Sequence, residues 1–110
     1  MASWHDRYPS AIAVRAAGDG AVTVTIHGEL DLATAPALSA CLAQALERHP
    51  RSLVFDLADV GFMDCASAHM LIEAALALPG SPPPVLRHPV FAVRRVLSVT
   101  GLDARCTIEP

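Results

Sequence analysis

The chain has 110 residues, enough for one hydrophobic core and a single domain. Apolar residues make up 53% of it, the net charge is −3, and all eight basic residues are arginine. Only Arg94 and Arg95 are adjacent, so no basic stripe runs along the chain, which argues against nucleic acid as a partner.

Met1 to Ser10 is polar and lacks the apolar middle of a signal peptide, so residues 1–10 are expected to be a flexible lead-in to a domain spanning 11–110. Ala11 to Ala17 reads as a strand and Gly18-Asp19-Gly20 as a turn. From Ala21 to His27 the chain alternates Val22, Val24 and Ile26 against Thr23, Thr25 and His27, which predicts the second strand of a hairpin with one face buried. Gly28 to Asp31 then reads as a loop. Thr34 is placed to cap a helix over Ala35 to Arg48, with Leu38, Cys41, Leu42 and Ala45 inward and Gln44, Glu47 and Arg48 outward, ended by His49-Pro50.

Leu53 to Leu57 is a short apolar run of the kind that forms a strand buried on both faces. Ala58 to Met63 reads as a connection, with Asp56 and Asp59 as turn formers. Asp64 is a good N-cap, because its carboxylate can accept from the free N–H groups of a first turn holding Cys65, Ala66 and Ser67. The helix that follows aligns Ala66, Met70, Ala74 and Leu78, with Leu71 and Ala75 beside them. Pro79 to Pro84 stops it. Val85 to Arg87 is a further strand, and Val90 to Val99 a helix with Val93, Val96 and Leu97 inward and Arg94 and Arg95 outward. Thr100-Gly101 ends that helix, and Cys106 to Ile108 reads as an edge strand. The order β-β-α-β-α-β-α-β predicts an α/β fold, with parallel strands joined by right-handed crossovers and one antiparallel strand from the hairpin. The second sheet face, rich in alanine and valine, is expected to stay partly open and to invite a partner.

Cys41, Cys65 and Cys106 are far apart and form no CxxC pair, which disfavours a zinc site and a disulfide framework and predicts reduced thiols. His5, His27, His49 and His88 are scattered and make no ligand pair. Cys65, His69 and Glu73 fall on one helical stripe, read as an exposed polar face rather than a metal or nucleophile site. Glu73 interrupts the apolar run near Leu71, so no stretch reaches membrane-spanning length; a cytoplasmic protein without direct membrane insertion is expected.

The run Val24 to Asp31, then a helix, then Val54-Phe55-Asp56-Leu57-Ala58-Asp59-Val60-Gly61-Phe62-Met63-Asp64, resembles the STAS domain, shared by anti-sigma factor antagonists and the cytoplasmic tails of sulfate transporters. Val93 to Leu102 matches the family's last helix, and the resemblance covers nearly the whole chain from about Ile12. It implies a mixed sheet of four to five strands with helices mainly on one face. It also implies a binding module rather than an enzyme, with no cofactor and no metal. In the family's antagonists a serine directly after the Asp of the F-M-D motif is phosphorylated by a partner that is both anti-sigma factor and kinase, of ATPase fold. The phosphoryl group adds roughly −1.5 to −2 charges to a surface that had been packed on protein, and the complex separates.

Here the sequence departs from the pattern. Where the family has Asp-Ser-Ser-Gly, this chain has Asp64-Cys65-Ala66-Ser67, so a thiol occupies the phosphoacceptor position. Loss of the standard switch is the preferred reading. Ser67 is the alternative phosphosite, although two residues along a helix turn a side chain about 200° away. Redox sensing at Cys65 is set below the plainer view that a small residue fills the serine's place. The resemblance gives a partner-binding set of Asp31, Asp64, Cys65, Ser67 and His69, with Asp31 weighed equally as a loop-forming residue, and Phe62 or Met63 as an apolar anchor or core. It leaves open a homodimer, and a role as the soluble STAS subunit of a lipid-transport ABC transporter. A small thiol- or nucleotide-binding enzyme is the remaining class, disfavoured because no glycine-rich phosphate loop is present.

Overall fold

The computed structural model describes residues 11–16, 19–80 and 82–110; the N-terminal segment, Ala17, Gly18 and Ser81 lie outside the described residues. Strands β1 (Ala11–Ala16) and β2 (Ala21–Leu30) form the expected antiparallel hairpin. Helix α1 (Ala35–Glu47) leads to β3 (Ser52–Met63), then α2 (Cys65–Leu76), β4 (Val85–Arg87), α3 (Phe91–Val99), a 3-10 turn over Leu102–Arg105 and β5 (Thr107–Glu109). The five strands lie side by side in chain order, and every pairing after the hairpin is parallel.

With that order, right-handed crossovers carry all three helices to the same face of the sheet. Burial follows the strand period accordingly. Val22, Val24 and Ile26 of β2, Leu53, Phe55 and Leu57 of β3 and Leu86 of β4 are buried. They meet Leu38, Leu42 and Ala45 of α1, Ala68, Leu71, Ile72 and Ala75 of α2, and Val93 and Leu97 of α3 in one core. Phe55, the largest fully buried side chain among the described residues, sits on the central strand.

Four expectations are corrected. The segment Gly28–Leu30 is strand, not loop, and β3 runs on through Ala58–Met63 instead of ending at Leu57. The two extensions pair with one another, Gly28 with Val60, Glu29 with Phe62 and Leu30 with Met63. Two register shifts, between Thr25 and His27 and between Gly28 and Glu29, each put one extra residue on β3; such bulges disrupt the alternation that marks a strand in sequence. Gly28 has φ 98°, a conformation costly for any residue with a Cβ. Next, α2 and the residues just after it bury Ala74 and Leu78 of the expected line with Leu71 and Ala75 beside them, but Ala66 is exposed and Ser67, Ala68 and Ile72 are buried as well. Finally, the open sheet face is more polar than expected: beside Ala13, Val54 and Val85 it carries a row of charged and hydroxyl side chains. Register sets Thr25, Asp56, Arg87 and Glu109 in one row across it, with Arg87 Nε 3.1 Å from Glu109 Oε1.

Candidate functional site

The paired ends of β2 and β3 bring two loops together. Leaving β3, the Asp64 N–H donates to the Leu30 carbonyl at 2.9 Å, so the start of α2 is tied to the end of β2. Leaving β2, residues Asp31 and Thr34 close on each other. The Asp31 N–H donates to Thr34 Oγ1 at 3.0 Å, and the Thr34 N–H donates to Asp31 Oδ1 at 3.1 Å. The Thr34 hydroxyl in turn lies 3.1 Å from the Glu29 carbonyl as its acceptor. Thr34 therefore occupies the N-cap of α1 without capping it; its side chain turns back to hold the loop. The carboxylate of Asp31 is engaged in that turn, an Asx-type arrangement. The loop it forms carries Leu32, which is 86% exposed.

Asp64 behaves as its position in sequence predicts. Its Oδ1 accepts the Ser67 N–H at 2.7 Å, satisfying one free donor of the first turn of α2. Cys65 and Ala66 project into solvent from that turn, and His69 lies one turn further along the same exposed line. The His69 ring places Nδ1 2.9 Å from the Cys65 carbonyl oxygen, a contact that requires the proton on Nδ1 and directs Nε2 outward. Phe62, just before the cap, is 46% exposed, whereas Met63 is 1% exposed and belongs to the core.

Ser67 differs from its expected role. It is 1% exposed, folded under the first turn rather than presented beside Cys65. The structure thus brings Asp31, Asp64, Cys65 and His69 to one end of the sheet and withdraws Ser67 from them. Sequence reasoning missed Leu32 at this end; its one signal was a large apolar residue inside a loop otherwise made of Asp, Ala and Thr.

Cys65 is exposed, while Cys41 and Cys106 are half-buried; all three are free thiols. Burial pushes the Cys41 thiol above its ordinary value, and burial followed by the nearby Asp103 charge does the same to Cys106. Among the described residues no three of His, Cys, Asp and Glu are grouped so as to hold a metal ion. Nor is any helix among them long and apolar enough to cross a membrane.

The family model for "Mlab, STAS domain" matches residues 13–109. The chain belongs to the STAS domain family. Its fold has a TM-score of 0.82 to the crystal structure of an anti-sigma factor antagonist from Mycobacterium paratuberculosis, at 29% identity over 92% of this chain and 86% of that one. Against SpoIIAA in its unphosphorylated form the TM-score is 0.67, at 18% identity over 91% of this chain and 89% of the other. Against the Bacillus cell fate determinant SpoIIAA in the phosphorylated form the values are 0.67 and 18%, over 91% and 92%. No curated protein sequence matches the chain. The domain therefore has the fold of anti-sigma factor antagonists, and its mixed five-stranded sheet falls within the four to five strands that the resemblance implied.

Proposed function

We propose that this STAS domain is a cytoplasmic regulatory binding protein that docks on an ATPase-fold anti-sigma factor through the end of the sheet where α2 begins. Exposed Leu32 and Phe62 supply apolar contact, and Asp31, Asp64, Cys65 and His69 supply the polar surround. The observation that supports a changed switch is the pairing of an exposed thiol at Cys65 with a 1% exposed Ser67. The first turn of α2 then offers a partner kinase no accessible hydroxyl, so the complex is not released by serine phosphorylation.

The same observation favours a second reading, in which the domain is the soluble subunit of a lipid-transport ABC transporter and needs no phosphoacceptor. Both readings are tested by affinity capture of the intact protein from its own organism, with the bound proteins identified by mass spectrometry and the capture repeated after ATP addition. An ATPase-fold anti-sigma factor that stays bound with ATP, and is released from Cys65→Ser, is the expected result. A transporter ATPase in the eluate replaces it with the second reading. Release of the unaltered protein by ATP, with phosphate on its chain, refutes the loss of the switch.

A further inference from the structure

At the opposite margin of the sheet, sharing no residue with the α2 site, an open groove of about 460 Å³ runs between α3 and β5, lined by Phe91, Arg94, Arg95, Ser98, Asp103 and Ile108. We propose that this groove accepts an extended acidic segment of a partner protein, which adds to the sheet as a further strand beside β5.

Three features support this occupant. The first is the backbone. The Thr107 N–H donates to the Pro84 carbonyl at 2.9 Å, and the Glu109 carbonyl accepts the His88 N–H at 2.7 Å, so residues 107 and 109 turn their polar groups toward β4. Strand alternation then directs the N–H and C=O of Ile108 to the side where, among the described residues, the sheet ends. An unpaired edge of this kind is a template for another strand.

The second is charge. Among the described residues Arg87 is the arginine held in an ion pair, and neither Arg94 nor Arg95 has an acidic partner. Two adjacent unpaired guanidiniums in a chain of net charge −3 form a local positive patch that selects carboxylates. Asp103 in the lining disfavours a compact polyanion such as phosphate, and tolerates acidic side chains spaced along a strand.

The third is spacing. Phe91, Arg94, Arg95 and Ser98 occupy successive positions of one helical face, and Phe91 is 78% exposed. Phe91 and Arg95 are four residues apart, about 6 Å along the helix. Side chains two apart on a strand are separated by about 6.6 Å. An apolar residue against Phe91 thus places an acidic side chain two positions on against Arg95. The open groove does not enclose a small molecule as ligand pockets do, which also favours a peptide.

The test uses the full chain and a fluorescein-labelled peptide of two Val-Thr-Glu-Thr repeats, which sets an acidic residue two positions after each apolar one, with fluorescence anisotropy for affinity and amide NMR for location. Expected are saturable binding, shifts centred on Phe91, Arg95 and Ile108, and slowed exchange of the Ile108 amide. Arg94→Gln with Arg95→Gln should weaken binding about tenfold or more at an unchanged melting temperature. Binding that is absent, that survives this double substitution, or that the same peptide with lysine in place of glutamate reproduces overturns the proposal. So do the same shifts from inorganic phosphate, which would make the groove an anion site. Protection of Ile108 that grows with protein concentration in the absence of peptide overturns it too, because the occupant is then a second copy.

Discussion

Replacing Asp64 tests whether the start of α2 is held by a cap hydrogen bond. In Asp64→Ala the Ser67 N–H, bonded at 2.7 Å in the native chain, loses its acceptor. Loss of an N-cap side chain costs about 1 kcal/mol, with a range of about 0.5–2. An unfolding entropy of about 2.1 cal/mol/K per residue over 110 residues gives about 0.23 kcal/mol/K, so a loss of 1 kcal/mol lowers Tm by about 4 °C. Asp64→Asn keeps an acceptor oxygen and gives up only the charge at the positive end of the helix dipole, worth about 0.3–1 kcal/mol. Urea titration of the three proteins at a shared m-value should place Asn between Asp and Ala and nearer Asp. Equal losses in the two variants would mean that charge, not the hydrogen bond, does the work. An unchanged midpoint in Asp64→Ala would refute both, and leave the backbone bond from Asp64 to Leu30 as the anchor.

Two further outcomes follow from the same geometry. Thr34→Val removes the hydroxyl that accepts from Asp31 and lies against the Glu29 carbonyl in a residue 8% exposed, and should cost about 1–3 kcal/mol by urea titration, whereas Thr34→Ser keeps most of it. Alkylation by iodoacetamide near pH 8 should label exposed Cys65 first, and Cys65→Ser should abolish that fast phase. The raised thiols of Cys41 and Cys106 hold less thiolate at that pH and lag. Because these two bind their protons more tightly when folded, their contribution to stability is complete below the ordinary thiol value of 9.0 and declines as pH rises past it.

How far the sequence could be read varied with the physical signal. The hairpin was legible because Val22, Val24 and Ile26 alternate without interruption. The cap of α2 was legible because an Asp beside a helical period has one obvious use. The second half of β3 was not. Asp56, Asp59 and Gly61 are turn formers by type, yet Asp56 Oδ1 accepts the Ala58 N–H at 3.2 Å within a bulge, and Asp59 lies 3.1 Å from His27 across the strands. The strand continues because pairing to β2 satisfies its backbone, which local composition does not report. In α2 and just beyond it the later turns were legible, with Leu71, Ala74, Ala75 and Leu78 buried, but the first turn was not, since a segment so rich in alanine has little contrast between its faces. The phase of that first turn decides whether Ser67 faces solvent or core. Thr34 shows the limit for single side chains: a capping residue at a capping position turned to the preceding loop instead.

The agreement between strand order in space and order along the chain bears on how this molecule is made. Each ladder closes with the strand that precedes it in synthesis, so the entropy of closure grows only slowly with each added unit. Nothing emerging late must thread between strands already paired. Assembly can proceed from the ribosome outward, with the hairpin and β3 forming the platform on which later units settle. The last two strands have three residues each, against twelve in β3. That C-terminal margin is the natural place for the sheet to fray first, and amide exchange there should outpace exchange on the central strand.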